Sequence, residues 1–214
     1  PPFPAMDCSF LYMFIHGLAR GVFRSAFGIT VINREKLIEE GPAVLVCNHQ
    51  SFLDPPLIGA LYSNPIHFLA RKSLTKSAFL RWAFPHINVI TVDQARPAPT
   101  AIIRFIREVR QGKRVLIFPE GSRTPDGEIK DAMPGIGLIL SRLGAGIPVQ
   151  PLRIEGAYDC LPIHSNKLRL RPITISVGDP IPLTEQDFNV HGREAQRALG
   201  AKIMDAIRAL PTTV

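Results

Sequence analysis

Cysteine is scarce in this 214-residue chain, limited to Cys8, Cys47 and Cys160. The three are odd in number, far apart and without metal-ligand spacing. That argues against a disulfide framework or a structural zinc and for a reducing compartment. Cys47 lies in an apolar run and reads as a small buried hydrophobe. Trp and Tyr are also few, one and three against twelve Phe, a weak argument against a platform for single-stranded nucleic acid. Acidic residues are outnumbered 18 to 25, for a net charge of +7 and a pI of about 9.7. A basic surface suits nucleic acid, a phosphorylated metabolite or the anionic face of a bilayer, and charge alone does not choose among them. Internal repeats and low-complexity tracts are absent, as is a GxSxG nucleophile elbow. The "GIG" at 135–137 lacks the third glycine of a dinucleotide fingerprint. What remains is a folding composition, 46% hydrophobic, long enough for one sizeable core.

Long hydrophobic runs are missing too. "PPFPA" ahead of Met6 reads as a vector remnant, since "MDCSF" makes a natural start. The uncharged stretch "CSFLYMFIHGLA" (8–19) has 12 residues, short of the roughly 20 that span a bilayer as a helix. Without a basic leader or a clear small-residue cleavage site it is not read as a signal peptide. Phe10, Leu11, Tyr12, Met13, Phe14 and Ile15 cluster tightly and are followed by Arg20 and Arg24. This pattern suits a helix lying in the lipid interface, and also a helix docked on the protein's own core. Residues 1–30 are accordingly expected to form a membrane-interface segment ahead of one domain, 31–214.

Short β-branched runs bounded by Pro, Gly or Asn predict strands at 43–47, 66–70, 88–92, 115–118, 147–154 and 173–177. Helical spacing predicts helices at 100–112, 133–146 and 193–210. In the first, Ile102, Ile103, Ile106 and Val109 form the apolar face, and Arg104, Arg107 and Arg110 form a solvated one. Alternating strands and helices imply an α/β layered fold with a mostly parallel central sheet flanked by helices. Sites in such folds favour loops at the carboxyl ends of strands.

Two polar turns follow apolar runs. The first is "VCNHQSFLDPP" (46–56). In continuous helix His49 and Asp54 would stand about 140° apart, so contact between them requires a turn. Pro55 supports a break. It equally supports Asp54 as a helix cap with Pro55 at the first helical position. A neutral imidazole can accept a proton at cellular pH, and a carboxylate on its other nitrogen fixes the tautomer and favours the imidazolium. Ser51 is too near in sequence to be assigned as a nucleophile, so the economical reading is a substrate that brings its own hydroxyl. The second turn is "VLIFPEGSRT" (115–124). Gly121 permits a tight turn, Arg123 offers a fork of donors suited to phosphate, and amides around Gly121 and Ser122 suggest an anion nest. Glu120 either positions Arg123 or binds a substrate hydroxyl. A plain β-turn with a surface arginine fits the same residues.

Together "NHQSFLD", "FPEGSR" and "IPVQP" (147–151), in this order and spacing, resemble the glycerolipid acyltransferase family, which includes bacterial 1-acyl-glycerol-3-phosphate acyltransferases. The resemblance spans roughly 40–180. It implies that His49 deprotonates the free glycerol hydroxyl of a lysophospholipid while Asp54 orients and supports it. The alkoxide then attacks the thioester of acyl-CoA or acyl carrier protein, without an acyl-enzyme, metal or other cofactor. Glu120, Gly121, Ser122 and Arg123 would hold the glycerol phosphate, and "IPVQP" would line the acyl-chain side. Arg71 or Lys72 in "LARKSL" corresponds to the family's basic residue there. One departure is Gln94 in "ITVDQAR", where the family has an arginine. Arg96 stands two residues on, and lysophosphatidylethanolamine or ornithine-lipid acceptors become alternatives to 1-acyl-glycerol-3-phosphate. The expected setting is the cytoplasmic face of the cell membrane, peripheral or monotopic, with no nucleic-acid partner. A hydrolase that activates water, and a non-enzymatic lipid or nucleic-acid binder, are the competing readings.

Overall fold

The computed structural model describes residues 10–71, 88–92, 99–188 and 192–212. Seven strands form one sheet: β1 Thr30–Ile32, β2 Ala43–Cys47, β3 His67–Arg71, β4 Val89–Val92, β5 Arg114–Ile117, β6 Val149–Glu155 and β7 Thr174–Val177. Their order is β1-β7-β6-β2-β5-β3-β4. Every neighbouring pair is parallel except β6 and β7. Helices are α1 Phe10–Ala26, α2 Asp54–Leu61, α3 Pro99–Arg110, α4 Gly135–Leu143, α5 Ala157–Cys160, α6 Glu185–Phe188 and α7 Arg193–Arg208. The six expected strands lie within one or two residues of their predicted limits. The short edge strand β1 was not among them.

β2 explains the layering. Its "AVLVC" is buried at every position, as a strand covered on both faces requires. Side chains alternate across it. Ala43, Leu45 and Cys47 join Leu116 and Leu152 beneath α1 and α2. Val44 and Val46 join Val115, Ile117 and Val149 beneath α3, α4 and α7. In α3 Phe105, Glu108 and Val109 are buried, whereas Ile103 is 58% exposed. Val109 and the partly buried Ile106 keep the expected face, and Phe105 takes the core place expected for Ile103. Arg104, Arg107 and Arg110 are exposed. Arg110 also donates to the Leu143 carbonyl at 3.3 Å, at the end of α4.

The amino-terminal helix docks on the protein through one face. Phe23 and Phe27 belong to the buried cluster under α2, and His16 Nε2 lies 3.0 Å and 2.9 Å from the carbonyls of Gly59 and Tyr62. Leu18 and Val22 are 59% and 47% exposed on the same helix. Among the described residues no helix is long and apolar enough to cross a membrane.

Chain order places the site. The path runs outward from β2 to β3 and β4, returns to insert β5 beside β2, and then crosses to β6 on β2's other flank. The carboxyl ends of β2 and β5 thus lie side by side where the strand order reverses, the usual location of a binding crevice in open α/β sheets. Both polar turns emerge there.

Candidate active site

Register is the first determinant. Val46 of β2 pairs with Ile117 of β5, and the same offset carried past the strand ends sets His49 opposite Glu120. The His49 amide does donate to Glu120 Oε1 at 2.8 Å. Asn48 anchors the turn on the other side. Its side-chain amide donates to the Ile154 carbonyl at 2.9 Å and accepts from the Ile154 amide at 2.8 Å. It thereby continues the β2–β6 ladder by one side chain.

The turn brings His49 and Asp54 together, with Nδ1 2.8 Å from Oδ2. Asp54 is the first residue of α2 and makes no cap of it. Its carboxylate turns back, and Oδ2 also accepts the amides of Gln50 at 2.6 Å and Ser51 at 2.7 Å. The capping alternative therefore does not describe this aspartate. Asp54 is fully buried, and burial pushes its carboxyl upward from 3.8, against the opposing pull of His49 and those two amides. Its second oxygen, Oδ1, is buried without a partner among the described residues. The imidazole stacks on Phe118, with ring centroids 4.0 Å apart and planes 16° from parallel. Its side chain is 18% exposed. With Nδ1 facing Asp54, Nε2 is the nitrogen left for an incoming group.

Glu120 is tied to backbone at both oxygens: Oε1 accepts from His49, and Oε2 from the Lys130 amide at 3.2 Å. It does not pair with Arg123. Burial pushes its carboxyl up to about 7, opposed by the two amides and the Lys130 charge. Gly121 sits at φ +68°, and a Cβ there would fall 2.8 Å from Met133 Cγ, so the turn needs glycine. The Gly121 amide donates to the Phe118 carbonyl at 3.0 Å. The expected anion nest therefore loses that donor to the turn itself. The Arg123 guanidinium lies over the Phe52 ring, 3.5 Å from its centroid, a cation–π placement. Ser122 Oγ accepts from Lys130 Nζ at 3.3 Å, and the Arg123 carbonyl accepts from the same ammonium at 2.8 Å.

The remaining expected residues fall elsewhere. Arg71 closes β3, whose parallel register with β5 sets its backbone at the same carboxyl edge. Lys72, Gln94 and Arg96 lie outside the described residues. The third motif does not reach His49. Val149 pairs with Val44 and Pro151 with Val46, so "IPVQP" runs alongside β2 and ends level with its penultimate residue. Gln150 is fully buried, donates to the Lys36 and Gly178 carbonyls and accepts from Ile38 and Tyr62. Val149, Gln150 and Pro151 of that segment are buried strand. Cys47, beside the site, is fully buried. Burial, and then the charges of Asp54 and Glu120, raise its thiol well above 9.0, which makes it inert as a nucleophile.

Sequence reasoning passed over Phe118, Lys130 and the role of Asn48. Phe118 ends an apolar run and carries no mark of stacking on a histidine 69 residues earlier in the chain. Lys130 lies in "TPDGEIKDAM" among acids and glycine, with no spacing that signals a site. Asn48 adjoins His49 in the first motif, and its position straight after a buried strand was the available signal.

A family model described as Acyltransferase matches residues 28–155, from just ahead of β1 to the end of β6. The lyso-ornithine lipid O-acyltransferase of Pseudomonas aeruginosa is 32% identical over 176 residues, 74% of this chain and 66% of that protein. The 1-acyl-sn-glycerol-3-phosphate acyltransferase of Bacillus subtilis is 27% identical over 117 residues, 54% of this chain and 59% of that protein. One from Chlamydomonas reinhardtii is 30% identical over 165 residues, covering 73% and 47%. The chain thus spans about half to two thirds of the length of these relatives. The crystal structure of the 1-acyl-sn-glycerophosphate (LPA) acyltransferase PlsC from Thermotoga maritima superposes with a TM-score of 0.71 at 21% identity, over 95% of this chain and 82% of that one. That likeness is one of fold.

Proposed function

Because the chain belongs to the acyltransferase family, we propose that it transfers a fatty-acyl group from acyl-CoA or acyl carrier protein to the free glycerol hydroxyl of a lysophospholipid, with 1-acyl-glycerol-3-phosphate as first candidate acceptor and phosphatidic acid as product. The observation that carries this reading is the His49–Asp54 pair, joined at 2.8 Å through Nδ1. It leaves Nε2 for a substrate hydroxyl, beside a thiol too buried to act as nucleophile.

The step follows from those atoms. Nε2 takes the hydroxyl proton as the oxygen attacks the thioester carbonyl. The tetrahedral intermediate then expels the thiolate, which recovers that proton from the imidazolium. Asp54 keeps the proton on Nδ1 and stabilises the cation while it lasts. Glu120 holds the His49 backbone in place. Arg123 is assigned to the acceptor phosphate, with Arg71, Lys72 and Arg96 as further basic residues for phosphate or donor. The donor thioester is a co-substrate. Peripheral docking on the cytoplasmic membrane face is supported by the +7 charge and by exposed Leu18 and Val22 on α1.

A second acceptor reading rests on two observations. Gln94 stands where the resemblance calls for an arginine, and a 32% identical relative is named for lyso-ornithine lipid. A neutral amide supplies no charge to a phosphate monoester. The test is a panel of lysolipid acceptors, each offered one labelled acyl-CoA and one labelled acyl carrier protein. Labelled diacyl product from any lysolipid, formed faster than free fatty acid, is the expected result. Free acid alone would replace transfer with hydrolysis.

A further inference from the structure

The connection from α5 to β7, "LPIHSNKLRLRP" (161–172), holds three lysine or arginine residues and no acid. Leu168 and Leu170 are 55% and 62% exposed. Lys167, Arg169 and Arg171 are exposed with them, and none of the three forms an ion pair among the described residues. Two large aliphatic side chains raised into water and interleaved with cations are unfavourable for a bare surface, but they match a phospholipid interface. There the leucines enter the acyl boundary and the cations meet phosphate.

Its position is tied to the site turn at one end and to the start of β1 at the other. Ser51, in the turn that carries His49, donates through Oγ to the Leu161 carbonyl at 3.0 Å, and the Arg169 amide returns to the Cys160 carbonyl at 2.8 Å. At the far end the Thr30 amide donates to the Ile173 carbonyl at 3.0 Å, shortly after α1 with its exposed Leu18 and Val22. The segment therefore connects the catalytic turn to the base of the amino-terminal helix, at the carboxyl edge of the sheet. A second copy of the chain would set the same cations against themselves if the two segments met face to face.

We propose that Lys167–Arg171 is a membrane-docking loop that seats the catalytic edge of the sheet on an anionic phospholipid surface. This rests on the acyltransferase reading for its purpose, but its test does not require turnover. The full chain is sedimented with vesicles of equal parts phosphatidylglycerol and phosphatidylcholine, and with vesicles of phosphatidylcholine alone. The parent prefers the anionic vesicles. Removing the charges together (Lys167→Gln, Arg169→Gln, Arg171→Gln) weakens partitioning on the order of 100-fold, near fivefold per basic residue. Leu168→Ser with Leu170→Ser weakens it roughly tenfold. Because all five side chains are exposed, the melting temperature and the rate with a short-chain acceptor dissolved as monomer stay as in the parent, and His49→Ala binds vesicles normally.

Undiminished vesicle binding by the charge variant overturns the loop's role while leaving the acyltransferase reading intact. So does a leucine variant whose only change is dissociation of a dimer. Selective loss of transfer from acyl carrier protein, with vesicle binding and acyl-CoA activity unchanged, would reassign the cations to that acidic partner and equally overturn the proposal.

Discussion

Asp54 and Glu120 are two buried carboxylates that grip the same residue, one at its ring and one at its backbone amide, and their surroundings assign them different tasks. Asp54 gathers three donors on one oxygen, one of them the His49 ring. Glu120 spreads two backbone donors over two oxygens, one of them the His49 amide. The first carboxylate acts on the imidazole that must change its charge during the reaction. The second acts on the main chain that must not move. Desolvation raises both from their ordinary values. For Asp54 that rise strengthens its support of an imidazolium. For Glu120 it is a cost carried to hold two loops in register. The local turn after β2 supplies the ion partner, five residues on, and the parallel pairing of β2 with β5 supplies the scaffold.

The largest effect should come from removing what both carboxylates serve. His49→Ala is expected to lower kcat by roughly 10²–10⁴ with the melting temperature little changed, measured by label transfer to a lysolipid. Retention of more than a small fraction of activity would mean that another group takes the proton. Asp54→Asn comes next and separates charge from geometry. An amide oxygen at the Oδ2 position keeps the three hydrogen bonds and removes the negative charge facing Nδ1. A loss of about 10²-fold in kcat is expected. Full activity would make Asp54 a second scaffold and erase the distinction drawn above.

Much of this pairing was legible before any coordinates. "AVLVC" read as a short buried strand, and a proline-bearing turn after it could bring a histidine and an acid five residues apart into contact. What could not be read was which strands are neighbours. His49 meets Glu120 because β5 is inserted beside β2, a long-range choice that no local window contains. The same gap hides where "IPVQP" lies: only the β2–β6 register sets Val149 beside Val44 and Pro151 beside Val46. Phe118 and Lys130 were missed because a ring stack and an ammonium bound to a carbonyl leave no spacing pattern. β1 is three residues long and is held by an edge pairing to β7, too short for periodicity to register. α3 was read with Ile103 inward because four apolar residues compete for one stripe, and only the packing of Phe105 decides.

The loop that carries Glu120 also presents Arg123, so a milder substitution tests whether that loop reads substrate as well as holding His49. Arg123→Ala is expected to lower kcat/KM about 10–100-fold for an acceptor bearing a phosphate monoester, the loss of one charge-assisted contact. An acceptor without phosphate should lose far less. Equal losses with both would confine Arg123 to a structural role over Phe52.

The smallest expected effect is one of stability, and it bears on Glu120 alone. Its folded carboxyl is raised from 4.5 to about 7, so between those values the folded state holds a proton that the unfolded chain has released. Stability from this group is then fully present below about pH 4.5 and is lost as pH rises through about 7. Glu120→Gln cannot ionise and escapes that loss. Denaturant titrations of parent and variant at both ends of the window should show the difference shifting in the variant's favour by about 2 kcal/mol, somewhat less than the full shift implies because the site is partly screened. Activity should move the other way. The glutamine can accept from only one of the two amides, and a freed His49 amide loosens the turn that aims the imidazole. A variant that is relatively more stable at high pH yet slower would identify Glu120 as a group retained for position at the expense of stability. A gap that stays constant across the window would mean that Glu120 ionises in the fold as it does in the unfolded chain.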